Sequence, residues 1–385
     1  MTGGGARAAY QVGVLKAIAE ITPTDAPSPF QIICGTSAGA INATGLATHA
    51  HDFNTSVLRI VNIWSNFHVH HVFRSDLFSL LKIATLWLIA FMSFGFFARN
   101  EKLYLLDRSP LVQLLTEHFT TKEIQQSIDK GYLHALCISA SGYSSHESVS
   151  FFQGHPSLKS WSRSRRNGAR ADITVDHLLG SSAIPFIFAP QLINREYFGD
   201  GSMRQTAPIS PALHLGAKRI LVIGNRHESE EAAVRCNTST FPSFGEIAGH
   251  ALNSIFLDSL DADIERLTRI NKTISLIPAE KRAANDITLK KIEVLTISPS
   301  QDIGALANQY VSELPTTMRL LVRGVGAHKS ADSSLLSYIL FERGYCQALI
   351  QLGYKDAMNK KAELKKLLFA EDVLSPNSPI SPTGE

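Results

Sequence analysis

Three consecutive glycines, Gly3-Gly4-Gly5, followed by Arg7 and a helical pattern, precede Gly35-Thr36-Ser37-Ala38-Gly39 by about thirty residues. Backbone N–H groups without side-chain cover at a helix start can bind a negatively charged oxygen. A serine on a sharp strand-to-helix turn presents its hydroxyl to a bound ester. Acyl transfer requires both parts, an oxyanion hole and a nucleophile. The serine also needs a base. Fourteen histidines are present, His177, His214, His227, His250 and His328 among them, and none has a recognisable catalytic setting. Asp200, in Tyr197-Phe198-Gly199-Asp200-Gly201-Ser202, is the only aspartate followed by glycine, and it stands where an apolar run meets a tight turn. An ordinary Asp-Gly turn would look the same.

Each motif has a rival explanation. Gly-x-Ser-x-Gly alone is weak, because a tight strand-to-helix turn capped by serine gives the same pattern. Gly3-x-Gly5-x-x-Ala8 nearly fits a dinucleotide cradle. That cradle wants an acidic residue about twenty positions on, and here the second strand ends at Cys34-Gly35-Thr36-Ser37 instead. No Gly-Lys-Ser/Thr phosphate loop exists. A Ser-Asp-His hydrolase usually carries several strands before its nucleophile, and only 36 residues precede Ser37. The oxyanion-plus-nucleophile reading is favoured.

The elements that must position these residues follow from periodicity and breakers. Ala8–Ile21 is expected to be a helix with Tyr10, Val14, Leu15 and Ile18 on one stripe, broken by the Pro-rich Thr22–Pro29. Phe30–Cys34 reads as a buried strand and Ala38–Ala47 as a small-residue helix, an order that suggests a parallel α/β layer. Leu133–Ser141, Ser148–Gln153, Arg219–Gly224 and Lys290–Ile297 read as further strands. Trp161–Arg170, with four arginines, reads as a solvated loop, with anionic headgroup contact second. Ser334–Leu352 is expected to be one apolar helix, and Lys355–Leu368 a basic amphipathic one. Ile83–Ala98 carries no charge in sixteen residues. As a helix it would reach about 24 Å, short of a hydrocarbon core of roughly 30 Å. An aromatic-rich surface element dipping into a bilayer is favoured over core burial or a membrane span.

The chain has 385 residues, 44% hydrophobic and 18% charged, enough for a large core. A formal charge of +3 with no long basic run argues against nucleic acid. Cys34, Cys137, Cys236 and Cys346 lack metal or redox spacing, so free thiols in a reduced compartment are expected. Met1 leads directly into the glycine loop, which leaves no room for a signal peptide and favours a cytoplasmic-side, peripheral location.

With Gly3-Gly4-Gly5-Ala6-Arg7, Gly35-Thr36-Ser37-Ala38-Gly39 and Asp200-Gly201-Ser202 in this order, the chain resembles the patatin-like phospholipases. Ser181-Ser182-Ala183-Ile184-Pro185, Pro208–Ile223 and Leu335–Ala357 extend the likeness. The resemblance implies a three-layer α/β/α fold with a mostly parallel central sheet over residues 1–357. Residues 76–100 would be an insertion or lid, 358–373 a basic helix and 374–385 a disordered tail. It implies a metal-free and cofactor-free serine–aspartate dyad hydrolysing phospholipid or lysophospholipid esters at a membrane surface. By position, Ser37 would be the nucleophile and Asp200 the base, with Gly4, Gly5 and Arg7 at the oxyanion hole. Gly3, Gly35, Gly39 and Gly201 are the remaining motif glycines. Rival outcomes are a lipid transacylase and a catalytically impaired membrane scaffold. This chain departs from the family at Ala8 and Ser202, and it offers only Met1 and Thr2 where the family places its first strand.

Overall fold

The computed structural model describes residues 1–76, 78, 85, 92, 104–227, 241, 243–285, 289–324 and 334–369. A 3-10 turn at Gly5–Ala8 runs into helix α1 (Ala9–Ile21), strand β1 (Ile32–Thr36), and helices α2 (Ala38–Thr48) and α3 (Phe53–Ser65). After α4 (Ser109–His118) and α5 (Thr121–Asp129) come β2 (Ala135–Gly142), β3 (Ser148–Gly154), β4 (Trp161–Arg163) and β5 (Arg166–Arg170). Helix α6 (Val175–Ser181) precedes β6 (Gln191–Ile193), β7 (Glu196–Asp200), α7 (Ser210–His214) and β8 (Arg219–Ile223). The long α8 (Phe244–Leu276), α9 (Ala279–Ala284), β9 (Glu293–Ile297), α10 (Ile303–Asn308) and α11 (Thr316–Gly324) follow. The described chain ends with α12 (Ser334–Ile339), α13 (Arg343–Asn359) and α14 (Lys361–Phe369).

Helix α1 carries the amino-terminal loop, and it is held by close packing rather than by one apolar stripe. Tyr10, Val14, Leu15 and Ile18 are buried, as their spacing predicts, and so are Gln11, Val12 and Gly13 on the other faces. Two glycines let α13 lie directly against it. A Cβ on Gly13 would stand 2.0 Å from the Ile350 carbonyl oxygen, and one on Gly353 would stand 2.1 Å from that of Tyr10. The Tyr10 hydroxyl donates to Asp356 Oδ2 at 3.1 Å. Large apolar side chains buried here each stabilise the fold by roughly 1.5–3 kcal/mol.

The main sheet has seven strands in the order β4-β5-β3-β2-β7-β6, with β1 also paired to β2. It is mixed, not mostly parallel: only β1–β2 and β3–β5 run parallel. Tight hairpins impose two of the antiparallel pairs. Ser164-Arg165 joins β4 to β5 and Asn194-Arg195 joins β6 to β7, with Arg165 and Asn194 at φ 57° and 55°. The arginine-rich Trp161–Arg170 is thus a strand pair at the sheet's edge, not a loop. Gly168 there leaves room for the Trp161 ring, to which a Cβ would come within 2.2 Å.

A second, two-stranded parallel sheet joins β8 and β9. The predicted single helix over Ser334–Leu352 is two helices, interrupted at Leu340–Glu342, and the basic helix is likewise divided at Lys360 between α13 and α14. Most of Ile83–Ala98 and the whole 374–385 tail lie outside the described residues. Among the described residues no helix is long and apolar enough to cross a membrane.

Candidate active site

One edge of β2 brings Ser37 and Asp200 together. Strand β1 runs parallel along its first part, and the register ends with Thr36 opposite Ser139. Strand β7 runs antiparallel along the remainder, and its Asp200 lies opposite Ala140. The two strands therefore advance toward each other along β2 and stop at consecutive rungs. Ser37 is the next residue after Thr36, so the chain must turn there at once. Its backbone adopts φ 54° and ψ −130°, a strained conformation for a residue with a side chain. Beyond Asp200, a Cβ on Gly201 would stand 2.1 Å from the Ser139 carbonyl oxygen, so only glycine passes under β2 here.

The strained turn is held by hydrogen bonds that the motif alone does not announce. The Ser37 N–H donates to Ser181 Oγ at 2.9 Å, and that hydroxyl donates to the Ser139 carbonyl at 2.7 Å. Thr36 Oγ1 donates to Gln205 Oε1 at 2.9 Å, and Gln205 Nε2 donates to Ser139 Oγ at 3.0 Å. Gly35 and Gly39 let α2 fold back closely. A Cβ on Gly35 would come within 2.4 Å of the Gly39 carbonyl oxygen, and one on Gly39 within 2.5 Å of that of Thr2.

Asp200 is fully buried, and Ser37 is 2% exposed. Its Oδ1 accepts from the Ser202 N–H at 2.9 Å. Its Oδ2 is buried without a hydrogen bond of standard geometry, yet the Ser37 hydroxyl is close enough to favour the charged form. Burial is the stronger effect and pushes the carboxyl up to about 6, against the pull of the Ser37 and Ser202 hydrogen bonds. A carboxylate with this affinity for protons can accept one from an alcohol near neutral pH.

The glycine loop lies beside the dyad. A Cβ on Gly3 would be 2.7 Å from Ser202 Oγ, directly beyond the Asp200 turn. Gly4 and Gly5 have φ 154° and 55°, and a Cβ on Gly5 would stand 2.2 Å from the Tyr338 carbonyl oxygen. Asn225 Nδ2 holds the loop by donating to the Gly3 carbonyl at 2.8 Å. Among the described residues nothing accepts from the N–H of Gly4 or Gly5. Those groups start the helical run that continues as α1, so its dipole adds positive potential there. The Arg7 N–H donates to the Gly4 carbonyl, and its guanidinium donates to Ser337 Oγ at 2.8 Å and to the Ser334 carbonyl at 3.4 Å and sits 4.0 Å from the Tyr338 ring centre. It anchors the loop to α12.

Ser37, Gly5 and Ser182 open onto an apolar cavity whose empty space, with the solvent at its mouth included, is about 880 Å³. Its walls come from α2, α3, α4, the Ile184–Phe188 turn and the Tyr338–Phe341 segment. The buried polar atoms of the wall satisfy one another. Trp64 Nε1 donates to Asn42 Oδ1, and Asn42 Nδ2 donates to the Ala8 carbonyl and to Gln11 Oε1. Among the described residues no group of three or more histidine, cysteine or acidic side chains is placed to hold a metal ion.

The family model described as Patatin-like phospholipase matches residues 1–213, more than half of the chain and a span that includes every element named at this site except Asn225 and α12. No curated protein matches the chain.

Proposed function

The chain belongs to the patatin-like phospholipases, a family of lipid acyl hydrolases, and on that premise we propose that it cleaves phospholipid or lysophospholipid esters through an acyl-Ser37 intermediate. Asp200 takes the proton from the Ser37 hydroxyl as its oxygen attacks the ester carbonyl carbon. The N–H groups of Gly4 and Gly5 receive the negative charge that develops on the carbonyl oxygen. Collapse of the tetrahedral intermediate expels the alcohol, which leaves with the proton held by Asp200. Water then attacks the acyl-serine with Asp200 again as base, the Ser37 Oγ–acyl bond breaks, the proton passes from Asp200 to Ser37 Oγ, and the fatty acid departs. The observation that carries this proposal is the meeting of Ser37 and Asp200 at adjacent rungs of β2, with the carboxyl raised to about 6.

Membrane contact is part of the proposal. Its support is Phe186, 79% exposed at φ 64° beside the cavity residues Ile184 and Ile187. So is a three-layer fold. Met1 forms a parallel rung on the outer edge of β1, donating from its amino group to the Cys34 carbonyl and accepting from the Thr36 N–H. Thr2 Oγ1 reaches the Ile223 carbonyl of β8 at 3.3 Å, so these two residues bridge the two sheets.

Fluorophosphonate labelling tests the chemistry. The wild-type protein should be modified at Ser37 and release fatty acid from phospholipid or lysophospholipid vesicles, and Ser37→Ala should do neither. An unlabelled wild-type protein, or turnover that survives Ser37→Ala, overturns the proposal.

A further inference from the structure

Part of the cavity lining forms an arm along α2. It follows α2 away from Ser37 past Ala38, Ile41 and Asn42, and two side chains from other helices stand beyond them, Ile60 of α3 and Phe119 just after α4. Both press on Gly45. A Cβ placed there would lie 3.1 Å from Ile60 Cδ1 and 3.6 Å from Phe119 Cε1. The α2 lining ends at Asn42, and Gly45, three residues on, lies behind Ile60 and Phe119. From residue 37 to residue 45 the axial rise is about 12 Å, the extended length of an acyl chain of roughly ten carbons.

Nothing along this arm asks for a polar ligand. Asn42 and the Trp64 indole, buried polar groups of its wall, are spent on each other and on α1. Exposed apolar wall with no polar group left to satisfy suits a saturated hydrocarbon chain.

We propose that this arm holds the acyl chain of the cleaved ester, and that Ile60 and Phe119, closing against Gly45, set its preferred length at about eight to ten carbons. The proposal rests on the hydrolase reading above, since the chain must start at Ser37. Gly45 makes the device adjustable from the opposite wall. Alanine there is favourable for a helix and places a methyl group against Ile60, so it should shorten the arm without weakening α2.

The test uses the full chain and p-nitrophenyl esters from C4 to C16. The wild-type kcat/KM should peak at C8–C10 and fall at least tenfold by C16. Ile60→Ala combined with Phe119→Ala should move the peak two or more carbons longer, and Gly45→Ala should move it about two carbons shorter. Fatty acids of the same lengths, bound to Ser37→Ala and read by displacement of a fluorescent fatty acid, give the same ranking without catalysis. A length ranking that none of these substitutions moves, in turnover or in binding, overturns the proposal. Length-dependent binding that the substitutions move, with no ester turnover by the wild-type protein, leaves the arm standing and removes the hydrolase reading instead.

Discussion

Asp200→Asn is expected to destroy activity and yet stabilise the protein. The amide has almost the shape of the carboxylate, and its oxygen can keep the Ser202 N–H bond. What it lacks is charge. At about 1.4 kcal/mol per pH unit, the rise of the Asp200 carboxyl from 3.8 to about 6 means that ionised Asp200 costs the folded state about 3 kcal/mol. The direction follows from proton affinity: the folded form binds this proton more tightly than the unfolded one. Its stabilising effect is therefore complete below about pH 4 and is lost as pH rises toward 6. Asparagine stays neutral throughout, so its advantage should be near zero below pH 4 and reach about 3 kcal/mol above pH 6. For 385 residues unfolding with about 2.1 cal/mol/K each, that is a rise in Tm of about 4 °C at pH 8. Thermal melts of both proteins from pH 4 to 8 measure it. In parallel, kcat/KM of the wild-type enzyme should climb about tenfold per pH unit up to about 6 and then level off, while the variant loses at least 100-fold. An asparagine variant no more stable at pH 8 than at pH 4, relative to wild type, would refute the claim that burial raises this carboxyl.

Two further substitutions probe the frame around the dyad. Ser181→Ala leaves the Ser37 N–H and the Ser139 carbonyl without their shared partner, at about 1–3 kcal/mol for each orphaned group. Steady-state kinetics should show kcat reduced at least tenfold with KM within about twofold, and Ser181→Thr should restore part of the loss; an effect confined to KM would contradict a positioning role. Gly5→Ala forces a methyl toward the Tyr338 carbonyl at a backbone angle that favours glycine. It should lower kcat by about 100-fold or more and slow fluorophosphonate labelling of Ser37, and labelling at the wild-type rate would place the oxyanion donors elsewhere.

Ser37 and Asp200 were legible as candidates because their backbone demands are extreme. A serine at φ 54° between two glycines, and an aspartate whose successor must pass within van der Waals contact of a carbonyl, restrict residue choice sharply. Helix α1 and strand β8 were readable, from the stripe Tyr10, Val14 and Ile18 and the apolar run Ile220 to Ile223, whereas β7, α3, α4 and α6 were not marked. Three things were hidden. Arg163 to Arg170 lack apolar alternation because an edge hairpin wets both faces, so polarity concealed two strands. Ser181 acts through one hydroxyl in a sequence of small residues, and nothing local distinguishes it from a helix-ending serine. The cavity wall draws on residues from Ile41 to Phe341, and a surface assembled across that distance leaves no local pattern. The contacts of Arg7 were hidden too, since its place in the motif does not reveal that its side chain packs on Tyr338 and bonds Ser337.

The head-on approach of β1 and β7 along β2 has a mechanical consequence. Slipping either strand by a single residue would carry its side chains about 3.3 Å along the sheet and onto the opposite face. No graded misalignment lies between the assembled pair and a separated one. Catalytic competence in this protein should therefore behave as a switch during folding, arriving in one step when the last rung closes rather than growing with overall order.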